Sequence, residues 1–174
     1  RYLYTFSFRN ANGVIFLTEY AKETVENIIG KLKCKTEIIP HGINSRFRKK
    51  PSIKDSRFKL KDKTINIIYV SFIEIYKHQW HVVEAIHKLR TEGFQIKLHL
   101  VGKAFKFASK KLNAKLKVLD PSSSWVLLYG QVNYEAINIL YEKSDIGIIA
   151  SSCETFCIPL IEKMASGMPI ACSI

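Results

Sequence analysis

The feature that most constrains the fold is a regular alternation of short apolar segments and amphipathic segments, which starts at Thr64. Residues 65–70 are β-branched and apolar, as in a buried strand, and apolar residues then recur at helical spacing over 79–92. The same pattern predicts further strands at 94–101, 125–129, 146–150 and from 169, and further helices at 104–117, 134–143 and 159–166. Strand-helix alternation of this kind predicts an α/β fold, with a parallel sheet that has helices on both faces.

Parallel strands place the loops that follow them at one edge of the sheet, where open α/β sheets bind their ligands. In this sequence those loops are 71–79, 102–104, 130–133 and 151–158. We therefore expect any binding site to be built from these four loops.

The first 63 residues have a different organisation. A strand is predicted at 13–17, a helix at 19–32 that begins at the capping residue Thr18, and a short strand at 37–40. These elements are too few to form a domain. We therefore interpret residues 1–43 as the tail of an N-terminal domain, 44–63 as a basic interdomain linker and 64–174 as an incomplete C-terminal domain, with residues missing at both ends.

The net charge of +12 is concentrated in two segments. Residues 44–63 carry nine lysines and arginines against two aspartates, and residues 103–117 carry six lysines and no acidic residue. Concentrated positive charge attracts anionic lipid headgroups, nucleic acid or phosphorylated substrates. A solvated linker with a lysine-rich helix face explains the same pattern, and the sequence leaves these alternatives open.

Several classes of protein are disfavoured by the sequence. The cysteines at 34, 153, 157 and 172 form no Cys-x2-Cys pair and no cluster with zinc spacing, so no metal site is expected. The first residues lack the layout of a signal peptide, and no apolar run is long enough to cross a membrane. We expect a cytoplasmic protein with reduced thiols.

Two glutamates in the fourth loop region suggest a chemistry. Glu154 follows the predicted strand at 146–150, and Glu162 lies eight residues later, near the start of the next helix. A carboxylate accepts hydrogen bonds from vicinal hydroxyls, and the free amides of a helix N-terminus suit a phosphate. The pair therefore predicts a nucleotide-sugar pocket with the diphosphate between the two carboxylates. The alternative is that Glu154 caps the helix and that Glu162 faces solvent.

The segment from Glu154 to Pro169 resembles the E-x7-E signature of GT-B retaining glycosyltransferases of the glycosyltransferase-4 type, the glycosyl transferases group 1. Three further stretches are similar to motifs of that family, in the family's order. They are the interdomain stretch Ile38-Ile39-Pro40-His41-Gly42-Ile43-Asn44 with Phe47, the phosphate loop from Tyr69 to Lys77, and a run through Leu128-Tyr129-Gly130, Leu140-Tyr141 and Ser144-Asp145 to Ser151. The resemblance covers roughly residues 10–174.

This resemblance implies two facing Rossmann-like domains, of which the chain would hold most of the C-terminal, donor-binding one. It implies that Glu154 is catalytic and holds the donor-sugar hydroxyls, that Glu162 holds the ribose and that Lys77 neutralises the diphosphate. The other donor-binding positions it implies are Ser71, Gly102, Gly130, Val132, Phe156, Cys157 and Ile158. No cofactor is implied, since the nucleotide sugar is the substrate, and without an acceptor site we expect no turnover from these residues alone.

The sequence departs from the family pattern at four positions. Ser71 and Phe72 stand where the family usually has Gly-Arg, so one of the two customary basic phosphate contacts is absent, and we consider His78 and Lys103 as replacements. Cys157 replaces a glycine and narrows the space beside the donor, and Lys163 replaces an alanine.

Our first hypothesis is a cytoplasmic glycosyltransferase that retains the anomeric configuration and builds a surface polysaccharide such as lipopolysaccharide. Its partners would be a nucleotide-sugar donor, a glycan or lipid-linked acceptor and, by peripheral contact, the inner face of an anionic membrane, with no nucleic acid. The alternative is a non-catalytic module that binds a nucleotide or phosphate. A basic nucleic-acid-binding domain is a third hypothesis, for which no recognised motif exists.

Overall fold

The computed structural model describes residues 2–48 and 63–173, which form two compact units. The first unit contains residues 1–43 and 154–158, and the second contains 44–153 and 159–174. Most of the predicted linker at 44–63 lies outside the described residues, so its role stays a prediction. No helix in the described part of the chain is long and apolar enough to cross a membrane.

The first unit contains two helices and a pair of parallel strands. Its elements are α1 (Tyr2–Arg9), β1 (Gly13–Phe16), α2 (Glu19–Ile29) and β2 (Lys35–Ile38). Thr18 caps α2 as predicted, since its hydroxyl accepts a hydrogen bond from the Ala21 amide at 3.0 Å. The helix α1 was not predicted from the sequence. It lies beside β1, where the rings of Phe8 and Phe16 stack with their centroids 6.1 Å apart.

The second unit is a five-stranded sheet with helices between its strands. Its elements are β3 (Ile65–Val70), α3 (Gln79–Thr91), β4 (Ile96–Val101), α4 (Lys106–Leu119), β5 (Val126–Gly130), α5 (Tyr134–Lys143), β6 (Ile146–Ile149), α6 (Ile158–Ala165) and β7 (Ile170–Cys172). All five strands are parallel, which confirms the predicted α/β, Rossmann-like fold class.

Most predicted boundaries in this unit are confirmed to within two residues. Asn133 caps α5 through a hydrogen bond from the Ala136 amide at 2.9 Å, and Gly93 follows α3 with a φ of 97°. The helix α4, predicted at roughly 104–117, begins two residues later at Lys106, since Ala104 forms a parallel bridge with Ile73.

The strand order across the sheet is β5-β4-β3-β6-β7. The chain therefore builds outward from β3 through β4 to β5, then returns to the other side of β3 and continues through β6 to β7. This reversal places a topological switch point between β3 and β6, which is where open α/β sheets form their binding crevice.

β3 is buried on both faces of the sheet. Ile68 and Val70 belong to a core cluster with Tyr141 of α5, against which Ala165 of α6 also packs. Side chains alternate along a strand, so Ile67 and Tyr69, also buried, occupy the opposite face. Both faces are therefore covered, as the long apolar runs of a parallel sheet require.

We predict that the close approach of β3 and β4 at their carboxyl ends makes Gly102 intolerant of any side chain. A Cβ built there would lie 2.0 Å from the Ser71 carbonyl oxygen, and the residue has a φ of 142°. Gly102→Ala should therefore lower the free energy of unfolding by roughly 2–4 kcal/mol, measured by urea denaturation.

Gly93→Ala is the matched control, because Gly93 has a φ of 97° but no atom within 4 Å of the position that a Cβ would take. It should cost only about 1 kcal/mol, the strain of a left-handed alanine. Equal losses for the two variants would contradict the clash at Gly102.

Candidate functional site

The loops that follow β3 and β6 are hydrogen-bonded to one another at the switch point. The Ser152 amide donates to the Tyr76 carbonyl at 2.9 Å, and the Ser152 hydroxyl lies 2.9 Å from Nε2 of His78. Beneath them the Tyr69 hydroxyl, buried in β3, donates to the Lys77 carbonyl at 2.8 Å and accepts from the Ala150 amide at 3.3 Å. These hydrogen bonds hold the two loops together without any contribution from a ligand.

Three of the predicted site residues come together at the neighbouring strand ends. The Ser71 amide donates to the Val101 carbonyl at 2.9 Å, and the Gly102 amide donates to the Gly130 carbonyl at 2.8 Å. Ser71, Gly102 and Gly130 therefore lie in one row across the carboxyl ends of β3, β4 and β5. Gly130 has a φ of 66° and no atom within 4 Å of the position that a Cβ would take, so the backbone there is open to close approach by a ligand.

Gln79, the first residue of α3, fixes the start of the loop after β3. Its side-chain Nε2 donates to the Ser71 hydroxyl at 2.9 Å and to the Phe72 carbonyl at 2.8 Å. These two bonds hold the Ser71–Phe72 backbone in place. The Phe72 side chain itself is exposed and packs edge to face against Phe105, with ring centroids 5.7 Å apart.

Lys77 ends a 3-10 turn, Ile75–Lys77, that begins at the capping residue Glu74. The Lys77 side chain is largely buried, and its Nζ lies 5.0 Å from the centroid of the Tyr76 ring. The positive charge of Lys77, in the loop after β3 at the switch point, suits an anionic ligand. His78, considered as a replacement for the absent arginine, already hydrogen-bonds Ser152, and Lys103 is exposed beyond β4.

Val132 differs from the other predicted site residues. Its side chain packs against the core cluster of Phe47, Val70 and Tyr141. The role that the family resemblance implies for its backbone stays a prediction.

Glu162 is the most unusual side chain of the site. It is 4% exposed, and its Oε2 accepts a hydrogen bond from the Tyr141 hydroxyl at 3.1 Å. The alternative in which Glu162 faces solvent is therefore wrong. Burial raises the pKa of this carboxyl above its usual range, although the Tyr141 hydrogen bond and the charge of Lys163 act in the opposite direction.

Lys163 follows Glu162 and is completely buried. Its aliphatic chain crosses β6 at Gly147, where an added Cβ would lie 2.4 Å from the lysine Cδ. Its Nζ lies 5.7 Å from the centroid of the Tyr141 ring. The lysine that replaces the family's usual alanine thus occupies space left by a glycine on the sheet, and its charge stays near the buried carboxylate.

The remaining predicted site residues, Glu154, Phe156, Cys157 and Ile158, belong to the first unit. Glu154 is exposed, and Phe156 packs edge to face against the His41 ring with centroids 5.6 Å apart. Cys157 has a φ of 56°, a left-handed conformation that glycine adopts without strain. Because Glu154 and Glu162 lie in different units, the placement of a ligand between them stays a prediction.

Several contacts of the site have no signal in the local sequence. Tyr141 and Glu162 are 21 residues apart, and Ser152 and His78 are 74 apart. Nothing in local periodicity predicts such pairs, although Tyr141 does stand in one of the family motifs. Within residues 2–48 and 63–173 no group of three or more His, Cys, Asp or Glu side chains could hold a metal ion.

Comparison with known proteins agrees with this architecture. Residues 51–173 match the family model described as "Glycosyl transferases group 1". Alpha-monoglucosyldiacylglycerol synthase of Streptococcus pneumoniae is 24% identical over 177 residues, covering 98% of this chain and 39% of that protein.

Two solved structures show the same fold. HepE of Anabaena, in complex with UDP and glucose, aligns with a TM-score of 0.75 at 22% identity, covering 94% of this chain and 45% of that one. Sucrose-phosphate synthase from Thermosynechococcus elongatus aligns with a TM-score of 0.73 at 22% identity, covering 98% and 43%. The chain therefore spans less than half the length of these relatives.

We predict that the buried Glu162 carboxylate destabilises the fold at neutral pH. Its pKa in the folded protein is raised above 4.5, so the folded state favours the protonated form, and stability is lost as the pH rises through the folded pKa. Glu162→Gln keeps an acceptor for the Tyr141 hydroxyl but carries no charge. It should be more stable than the wild type at pH 7 by roughly 1 kcal/mol, a typical size for a single substitution.

This gain should disappear as the pH approaches 4.5, measured by thermal unfolding across a pH series. Glu92→Gln, at an exposed glutamate after α3, serves as the control and should show no such dependence. A wild type that is more stable than Glu162→Gln at neutral pH would contradict the prediction.

Proposed function

Because the chain belongs to the glycosyl transferases group 1 family, we propose that it takes part in transferring a sugar from a nucleotide-sugar donor to an acceptor. In this reaction the bond between the anomeric carbon and the diphosphate oxygen breaks, and the acceptor hydroxyl oxygen bonds to the same carbon. The hydroxyl proton is released and the nucleoside diphosphate departs. We assign retention of the anomeric configuration to this transfer, following the resemblance to retaining enzymes.

The observation that carries the proposal is the arrangement of backbone and side chains at the carboxyl ends of β3, β4 and β5. Ser71, Gly102 and Gly130 line up along the strand ends, and Lys77 is held beside them in the loop after β3. A lysine beside strand ends that a ligand can approach suits a diphosphate, since the charge of the diphosphate must be offset when it leaves. The UDP and glucose bound to HepE support a nucleotide sugar as the ligand class.

Glu162 is the group that we assign to the ribose. Its Oε2 is engaged by Tyr141, and its Oε1 would accept hydrogen bonds from ribose hydroxyls. Burial penalises this carboxylate, so its presence lowers stability without a ligand. A carboxylate buried at such a cost is expected to serve binding rather than folding.

We assign the donor sugar to the segment 154–158. Glu154 would accept hydrogen bonds from its hydroxyls as the catalytic carboxylate, and Phe156 would contact the sugar. Backbone amides of Cys157 and Ile158, at the start of α6, would donate to the phosphate. Gly130 and Val132 would offer backbone groups to the base, and the transfer would require no cofactor.

For the acceptor we propose a glycan or a lipid-linked glycan, within the synthesis of a surface polysaccharide such as lipopolysaccharide. The name of the Streptococcus pneumoniae relative, a glucosyldiacylglycerol synthase, supports a lipid-linked acceptor. We propose a cytoplasmic location, where nucleotide sugars would be available as donors.

A second function is favoured by two departures from the family pattern. Cys157 has a φ of 56° where the family usually has glycine, and exposed Phe72 stands where it usually has arginine. We interpret both departures as signs that contacts to the donor have been lost. They favour a module that binds a nucleotide without transferring a sugar.

We predict that the complete protein binds UDP or GDP and that binding depends on Glu162 and Lys77. Each of Glu162→Ala and Lys77→Ala should weaken binding by about tenfold or more, since each removes a charged hydrogen-bonding group. Isothermal titration calorimetry measures the change.

Glu92→Ala and Lys88→Ala are the matched controls, because both residues are exposed and lie near the end of α3. They should bind as the wild type does. Nucleotide binding that is indifferent to both Glu162→Ala and Lys77→Ala would overturn the assignment of the site.

We also predict that the complete protein, given donor and acceptor, forms a product with the anomeric configuration of the donor. NMR coupling at the anomeric proton identifies the product, and turnover should survive chelation by EDTA because no metal is assigned to the reaction. The opposite anomer would contradict retention. Nucleotide binding without turnover of any donor would favour the binding module.

A further inference from the structure

The helix α4 (Lys106–Leu119) has an unusual solvent face. Ala108 and Leu112 are buried on its inner face. On the outer face, Phe107 is 81% exposed and Val118 is 75% exposed. These two residues are eleven positions apart, which is about three turns, so they lie on one side of the helix with Ala114 between them.

Lysines run alongside this apolar line. Successive residues of an α-helix are rotated by about 100° around its axis. This rotation places three exposed lysines on one side of the line through Phe107 and Val118, namely Lys106, Lys110 and Lys117. Residues 103–117 contain no acidic side chain that would neutralise them.

The other two lysines of α4 have a structural explanation. Lys111 Nζ lies 4.2 Å from the centroid of the Trp80 ring, and Lys115 forms an ion pair with Glu84. Both therefore attach α4 to α3. In contrast, the three outer lysines are exposed on the other side of the helix, beside the exposed apolar residues.

Further aromatic residues lie at the start of the helix. Phe105 stands at the N-cap position of α4 and is exposed, and its ring contacts the exposed ring of Phe72 edge to face. Lys103, two residues before Phe105, is also exposed. The start of α4 therefore also presents exposed apolar and basic side chains side by side.

We propose that the outer face of α4, defined by Phe107, Val118 and the adjacent Lys106, Lys110 and Lys117, docks on an anionic lipid bilayer. Large apolar side chains would enter the boundary between headgroups and acyl chains, and the lysines would lie among the anionic headgroups. An exposed phenylalanine is unfavourable in water and becomes favourable once it is covered.

Charge complementarity and apolar character together favour lipid over other polyanions. A nucleic-acid duplex would engage the lysines but offers no apolar layer to cover Val118. A bilayer provides both environments at the depths that a helix lying in its surface requires. The proposal does not depend on sugar transfer, because vesicle binding requires no donor.

The test is cosedimentation of the complete protein with vesicles of phosphatidylcholine, with and without phosphatidylglycerol. We expect binding to the anionic vesicles alone, weakened by salt. Phe107→Ser combined with Val118→Ser should reduce it by about tenfold, because the apolar contact is lost. Lys110→Glu combined with Lys117→Glu should reduce it by more than about tenfold.

Matched controls come from elsewhere in the second unit. Ile139→Ser removes an exposed apolar side chain from α5, and Lys88→Glu with Lys143→Glu makes the same charge change on α3 and α5. Both should bind nearly as the wild type does. Circular dichroism verifies that each variant is folded.

Insertion is measured separately, with variants that keep an apolar side chain. The fluorescence of Phe107→Trp should be quenched by brominated lipids more than that of the wild type, whereas Ile139→Trp should add no quenching. Unchanged vesicle binding of the Phe107→Ser and Val118→Ser variant, or no added quenching in Phe107→Trp, would overturn the proposal. So would equal binding to neutral vesicles, or nucleic acid that displaces the protein from anionic vesicles.

Discussion

The pairing of β3 with both β4 and β6 is the constraint on which the second unit depends. Ile67 to Val70 are buried, so this strand has no face that tolerates water, and it must lie at the centre of the sheet. With β3 at the centre, β4 and β5 lie on one side of it and β6 and β7 on the other. The loops after β3 and β6 are then forced together, and the hydrogen bonds of Ser152 to the loop around Tyr76 follow from that placement.

The burial of Glu162 is expected to lower the stability of the second unit at neutral pH. Its Tyr141 partner belongs to α5 and to the core cluster that packs on one face of the sheet. An apolar residue at 162 would pack there without penalty, whereas a carboxylate must be desolvated. Lys163 over Gly147 reduces the penalty by bringing a positive charge close, and the proposed role in binding a ribose would account for the part that remains.

Much of this architecture could be predicted from the sequence, because the strands of a buried parallel sheet are nearly continuous apolar runs and Thr18 and Asn133 are clear capping signals. The helix α1 was missed because Tyr2–Arg9 is rich in aromatic residues, which have weak helix propensity. The burial of Glu162 and its bond to Tyr141 could not be predicted, since they arise only when α5 and α6 pack on the same face. The burial of Lys163 depends in the same way on Gly147, a residue of another element.

The central position of β3 also has a consequence for biosynthesis. Its partner β6 comes much later in the chain: Asn66 of β3 and Asp145, which directly precedes β6, are hydrogen-bonded although they are 79 positions apart. During translation β3 leaves the ribosome and can pair with β4, but its other edge stays unpaired until β6 has been synthesised. Because an unpaired apolar edge invites association with other chains, the nascent protein is expected to rely on chaperones until β6 has been synthesised.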